Sequence, residues 1–332
     1  MASSRSSSRY RSRSRGPSPI RTRHSYLGES EDAVDPDEAA QTNHAFTEGR
    51  VAVITGAGSL NGIGFAAAKE LATYGMKLVL VDINEAELAE AVKQIEEKVG
   101  KGNVLGVPTD VSKIEACKAL FEKVYDTFGE VSVLMNNAGI GPYGGAYTNL
   151  DNWHKVLDTN LYGVVNMVHT FTQAMMSQEN PAVIINTGSK QGITNPPGNA
   201  AYNVSKAGVK VLTENLAWEF RQANAKVTAH LFVPGWVHTG LTGARTKDKP
   251  DGAWTATQTA QYMLERVKEG KFYIICPDNE TTPEMDKLRI MWGAEDVALG
   301  RPALSRWHPE YKALFEEYMR DNLAASSSLA PP

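Results

Sequence analysis

Between Arg50 and Pro277 the chain alternates short apolar runs with longer stretches in which apolar residues recur at helical spacing. The short runs are VAVIT (51–55), KLVLVDI (77–83), NVLGVPTDV (103–111), VSVLMNNAG (131–139), PAVIINTGS (181–189), KVTAHLFV (226–233) and KFYIIC (271–276). Their β-branched, nearly unbroken hydrophobicity suits strands buried on both faces. FAAAKELATYG (65–75), the segments 84–100 and 113–129, a long stretch over 152–178, and Tyr202 to Ala223 read as amphipathic helices. Strands alternating with helices of this length predict an α/β fold, a single doubly wound parallel sheet with helices on both faces.

The ends of the chain read differently. Residues 1–48 begin Arg- and Ser-rich and then turn acidic from Glu29, with few apolar side chains. Such a segment cannot offset the entropy of ordering and is expected to be a disordered tail. Its basic part also fits a partner-binding arm or a mitochondrial targeting segment, though no apolar helical face supports the latter. The catalytic core is expected over 49–277. Residues 278–332 are expected to add two amphipathic helices, around 285–298 and 309–323, that pack on the core or a neighbouring subunit, with a frayed end at SSSLAPP.

Composition narrows the function. Apolar content of 42%, charge of 22% and a formal net charge of −4 describe an ordinary globular protein, with no reason to expect nucleic acid or membrane at the core. Two cysteines, Cys117 and Cys276, exclude a disulfide framework, and no cluster has metal-ligand spacing. The cytoplasm is the expected compartment, with the mitochondrion as the alternative.

After the first strand comes GAGSLNGIG (56–64), then a helix, then a strand ending in Asp82. Strand, glycine turn, helix and strand ending in an acid form a Rossmann-like dinucleotide-binding unit. Its glycines admit a pyrophosphate to the backbone, and the helix start points free N–H groups at it. Asp82, eighteen residues after Gly64, stands where a carboxylate accepts from a ribose diol and repels a 2′-phosphate. NAD is therefore expected, and NADP less so. The glycine turn, Asp82, Asp110, Asn136, Ser189 and Pro234 all follow strands, and so fall on the one sheet edge where ligands bind.

The candidate chemistry lies in NTGSKQGITNPPGNAAYNVSK (186–206). Tyr202 and Lys206, four apart on a helix, share a face. A phenol with a pKa near about 10 is a poor proton carrier at neutral pH. A nearby ammonium is expected to lower that pKa. Ser189 can hold the same substrate oxygen from the end of its strand.

Taken together, Thr55-Gly56 with Gly62-Ile63-Gly64, Asp110-Val111, Asn136-Asn137-Ala138-Gly139, Asn160, Ser189, Tyr202 with Lys206, and Pro234-Gly235 with Thr239 resemble the short-chain dehydrogenase/reductase family over Arg50 to Pro277. The resemblance implies Tyr202 as general acid/base, Lys206 on the nicotinamide ribose, Ser189 on the substrate oxygen, and Asn160 anchoring a water of a proton relay. It implies that Asp110 and Val111 flank the adenine and that Asn137, Ala138 and Gly139 support the cofactor. Val237 and Thr239 would fix the carboxamide. It further implies a homodimer or homotetramer and a small alcohol or ketone substrate. The glycine turn departs from the family's pattern: five residues, Ala57 to Asn61, separate Gly56 from Gly62, so the contacts of Ser59 and Asn61 are open.

Lys190 is expected to face solvent, with a substrate carboxylate as the alternative. Residues 240–258 are the expected substrate loop, where Trp254 either closes over a ligand or simply packs. Tyr143, Gln191, Pro196, Trp236 and His238 are further candidate walls. Two rivals remain: a non-redox epimerase or dehydratase of the same fold, and an NAD-sensing regulator with a basic binding tail.

Overall fold

The computed structural model describes residues 42–242 and 248–328. Seven strands form one parallel sheet: β1 (Val51–Thr55), β2 (Lys77–Asp82), β3 (Val104–Pro108), β4 (Val133–Asn136), β5 (Ala182–Thr187), β6 (Val227–Val233) and β9 (Tyr273–Ile275). Their order is β3-β2-β1-β4-β5-β6-β9, so the direction of winding reverses beside β1. A short ribbon, β7 (Val237–His238) with β8 (Trp254–Thr255), lies apart from this sheet.

The helices are α1 (Ile63–Thr73), α2 (Glu85–Val99), α3 (Ile114–Phe128), α4 (Leu150–Leu157), α5 (Gly163–Ser177), the short α6 (Gln191–Thr194), α7 (Ala200–Gln222), α8 (Ala256–Lys268), α9 (Pro283–Leu299) and α10 (Lys312–Ser328). Alternation along each strand divides the core in two. Ala52 and Ile54 of β1 pack with Phe65 and Leu71 of α1, Leu88 of α2 and Met263 of α8. Val51 and Val53 point the other way, to Leu120 of α3, Phe171 of α5 and Leu216 of α7. Both faces of the sheet are thus covered, as the strand composition predicts.

Between α4 and α5, residues Asp158–Tyr162 form a π turn. The Gly163 N–H there donates to the Asp158 carbonyl, five residues back. Such widened turns displace one residue from the regular helical ladder.

Order begins earlier than residue 49. Thr42, Ala45 and Phe46 are buried, and Ala45 and Phe46 join the first core. They are few but suitably spaced apolar residues, which the tail's overall polarity hides. Residues 1–41 of the predicted tail, its basic part and most of its acidic part, lie outside the described residues. At the other end, α9 and α10 occupy the two predicted helical segments, and α10 runs through Ser328, into the stretch expected to fray. Among the described residues, no helix is long and apolar enough to cross a membrane.

Candidate active site

The sheet register carries Thr55, Asp82, Asn136 and Thr187 to one edge, because β1, β2, β4 and β5 are parallel and nearly in step. A buried polar chain fixes α7, the helix that carries Tyr202 and Lys206, above that edge. Asn136 Nδ2 donates to Asn186 Oδ1 at 2.8 Å, and Asn186 Nδ2 donates to Thr213 Oγ1 of α7 at 3.1 Å. Asn186 and Thr213 belong to no motif, and only their burial reveals the role.

The glycine turn is built around close approach. A Cβ on Gly64 would stand 2.5 Å from the Gly56 carbonyl oxygen, and one on Gly58 would stand 2.9 Å from the Asp82 carboxyl carbon. Gly56 itself has φ of +66°, a conformation that favours glycine. Gly62 caps α1 with no side chain bonded to the first-turn N–H groups, which leaves that helix end to an anion. Asp82 Oδ2 accepts from the Gly58 N–H at 2.9 Å and Oδ1 from the Asn84 N–H at 3.0 Å. The extra turn residues diverge from this cradle: Ser59 and Asn61 face a pocket of their own against Ala86, Glu87 and Glu90 of α2, while Ile63 lines the main cleft.

Thr55 Oγ1 accepts from the N–H groups of Asn137 and Ala138 at 2.9 and 3.0 Å, and Asn137 Nδ2 donates to the Thr55 and Gly56 carbonyls. Asp110 Oδ1 accepts from the Ser112 N–H at 3.0 Å, and the Val111 carbonyl accepts from Asn166 Nδ2 at 2.9 Å. Asn160, thrown inward by the π turn, bonds both backbone groups of one residue, and its Nδ2 also reaches Ser205 Oγ at 3.4 Å. Its Oδ1 accepts from the Ile140 N–H at 2.8 Å and its Nδ2 donates to the Ile140 carbonyl at 2.9 Å. The Gly139–Ile140 turn is thereby held beside Lys206: a Cβ on Gly139 would lie 3.7 Å from Lys206 Nζ.

Ser189 and Tyr202 line a cleft of about 450 Å³ with Ile63, Tyr143, Trp236, Val237 and Thr239 among its walls. Pro234 and Gly235 also line it, and Gly235 runs close to the Cys276 and Pro277 carbonyls. The Ser189 hydroxyl accepts from the Gln191 N–H at 3.2 Å and is near enough to the Tyr202 phenol to act on its pKa. Lys206 is buried behind them and donates to the Thr187 carbonyl at 2.8 Å, with its Nζ 5.8 Å from the Tyr202 ring centroid.

The expected depression of the Tyr202 pKa is not found. Burial pushes the phenol above its ordinary value, the Ser189 hydroxyl opposes that, and Tyr143 adds to the rise. Burial also lowers Lys206 to about 8, which leaves it mostly protonated at neutral pH, yet burial of the phenol outweighs any pull from that charge. The phenol is therefore held in its protonated form.

Several predicted walls fall elsewhere. Pro196 and His238 do not line the cleft; Pro196 offers its carbonyl to Asn203, and His238 lies in the β7–β8 ribbon. Trp254 packs rather than closes: its indole N–H donates to Asn279 Oδ1 at 3.1 Å and its ring meets Tyr262 edge-on. Residues 243–247 of the expected substrate loop lie outside the described residues. Lys190 does not face solvent; it lines the cleft and is paired with Asp278 and Asp286. Leu241 and Thr242, from the start of the expected substrate loop, line the cleft, and with them stands Asp278, a wall that no motif marks because it arrives only when the loops fold back.

The profile of the short chain dehydrogenases matches residues 50–250. The chain belongs to that family. Within the short-chain dehydrogenases, sulfoacetaldehyde reductase 2 of Chromohalobacter salexigens is 32% identical over 226 residues, 67% of this chain and 87% of that one. A solved short-chain dehydrogenase/reductase from Burkholderia phymatum, in complex with NAD, is 34% identical with a TM-score of 0.69, covering 77% of this chain and 96% of its own. A metagenomic short-chain oxidoreductase in complex with NADP is 27% identical with a TM-score of 0.59, covering 70% and 98%. Family membership makes the chain an oxidoreductase of the short-chain type, and no group of three metal-binding side chains occurs among the described residues.

Proposed function

We propose that this short-chain dehydrogenase interconverts a secondary alcohol and its ketone on a small or medium, mostly apolar molecule, with NAD(H) preferred. One observation carries the reading: the Ser189 hydroxyl and the Tyr202 phenol line the same open cleft, with Lys206 buried behind them. The solved relatives' NAD and NADP support a nicotinamide cofactor here, as does a glycine cradle that any Cβ would fill. Asp82, which keeps lone pairs for a ribose diol and would repel a 2′-phosphate, favours NAD.

The cofactor supplies or accepts the hydride; the chain's residues orient the reactants and move the proton. In the reducing direction Tyr202, kept protonated by burial, donates to the carbonyl oxygen, while Ser189 holds that oxygen as charge develops on it. Lys206 positions the ribose and takes part in returning the proton. Asn160 fixes the turn at Ile140, and Oδ1 retains one acceptor position for the water that would link Lys206 to solvent. Asp110 and Val111 would border the adenine, and Val237 and Thr239 the carboxamide.

Two measurements test this. Thermal-shift titrations should show NAD+ and NADH stabilising the protein more than NADP+ and NADPH, because a ligand of the folded state raises the melting temperature by mass action. A preference for NADPH would reverse the Asp82 assignment. Tyr202→Phe should keep that cofactor response while turnover in an alcohol and ketone screen drops by about a thousandfold. Near-full turnover would sink the mechanism, and cofactor binding without net turnover would favour an epimerase or dehydratase.

A further inference from the structure

Lys190 follows Ser189 directly and lines the same cleft, yet its ammonium is already occupied. It lies 2.6 Å from a carboxylate oxygen of Asp286 and 3.5 Å from one of Asp278. All three side chains are largely out of water, with 19% of Lys190, 5% of Asp278 and 6% of Asp286 exposed. Asp278 is held in place by the N–H groups of Trp236, Glu280 and Thr281 at 3.0, 3.1 and 2.8 Å. Arg289 also faces Asp286 but does not line the cleft. Among the described lining residues, Lys190 and Asp278 are the charged side chains, and they are spent on each other and on Asp286.

A lysine beside the catalytic serine would ordinarily draw a carboxylate, sulfonate or phosphate on the substrate into the cleft. Here an anionic group must compete with two carboxylates for one ammonium. If it won, buried Asp286 would lose its 2.6 Å ion pair with Lys190 and keep only the charges of Arg289 and Arg306, which is costly. If it lost, it would sit unpaired next to Asp278. An uncharged substrate meets neither penalty. Asp286 stands on α9, beyond the last strand of the sheet, and α9 packs on α6, the short helix that follows Lys190. The neutralising charge therefore comes from the C-terminal extension.

Resting on the oxidoreductase reading, we propose that this extension sets the charge specificity of the cleft. Asp286 is the specificity-determining residue: by occupying Lys190, it tunes the site to uncharged carbonyl compounds and their alcohols and against those with an anionic group near the reacting carbon. The device works by penalising a class of substrates rather than by adding a contact to the right one.

The test uses matched probes on the full chain. Turnover with NADH is compared for methyl benzoylformate and benzoylformate, and binding to the NADH-saturated protein is measured by calorimetry for methyl mandelate and mandelate. The ester should be favoured over the carboxylate by about tenfold or more in both assays, and Asp286→Asn should narrow that ratio by about tenfold. Adding Lys190→Met to Asp286→Asn should cancel the gain, since the freed ammonium is what attracts the anion. An unchanged ratio in Asp286→Asn, or a wild-type preference for the carboxylate, would overturn the proposal. Should the Asn variant not fold, the wild-type ratio alone decides. Charge-dependent binding with no hydride transfer to either ester or acid would support the charge assignment and remove the oxidoreductase reading. Absence of binding by either mandelate probe would overturn the charge assignment, whatever the turnover.

Discussion

At the scale of single residues, burial decides which protonation state each polar group keeps. Tyr202 is pushed up and Lys206 down by the same loss of solvent, so proximity of the two, legible in the spacing, did not predict the sign of the phenol's shift. His230 makes the case away from the site. It is fully buried in β6, where Nε2 bonds Thr228 Oγ1 at 2.8 Å and Nδ1 bonds the Lys271 carbonyl at 2.9 Å. Burial lowers it from 6.5 to about 4. Between those values the unfolded chain binds a proton that the native state refuses, so this residue's contribution to stability is present above 6.5 and is lost as pH falls toward 4. In urea unfolding at stepped pH, His230→Gln should show a shallower loss of stability across that window than the wild type. Parallel pH curves would mean that His230 is protonated in the folded state.

Among the elements, helices and strands were legible from period and composition, while their junctions were not. The stretch over 152–178 reads as one helix, and nothing in its pattern marks the π turn that aims Asn160 at Ile140. That turn is a compromise between the backbone ladder and a tertiary hydrogen bond. The extension shows the same limit. Its two helices were visible, but their anchorage was not: Trp292 is buried on α9, meets Phe315 of α10 at 5.3 Å between ring centroids, and donates to Ser305 Oγ at 2.7 Å. The Arg301 guanidinium lies over its indole at 4.0 Å. Trp292→Ala should cost about 3–5 kcal/mol in denaturant unfolding, the usual range for emptying an aromatic core site. A loss below about 1 kcal/mol would mean that the site collapses around the gap or that the extension is loosely packed.

For the whole molecule, association is the remaining expectation. Val204, Val211 and Trp218 recur every seventh residue along α7 and are 48%, 54% and 56% exposed. Tyr162, in the π turn, is 54% exposed. A stripe of this kind on a rigid helix suits a two-fold contact with a second copy. Light scattering should find a dimer or tetramer that Trp218→Asp shifts toward monomer; a monomeric wild type at micromolar concentration would retire the idea.

The sequence by itself determined the parallel sheet, the edge that carries the site, the glycine cradle and the Asn160, Ser189, Tyr202 and Lys206 set. The sheet, its edge and the glycine cradle follow from local periodicity and from chemistry held at fixed spacing along single elements, while the set of four was implied by the family resemblance of its motifs. Only the tertiary structure decided that Lys190 is bound rather than free, that Asp278 and Leu241 wall the cleft, and that Ala45 and Phe46 belong to the core. Those facts depend on burial and on contacts between distant segments, such as Lys190 with Asp286, 96 residues on, and no local pattern encodes which distant charge will arrive.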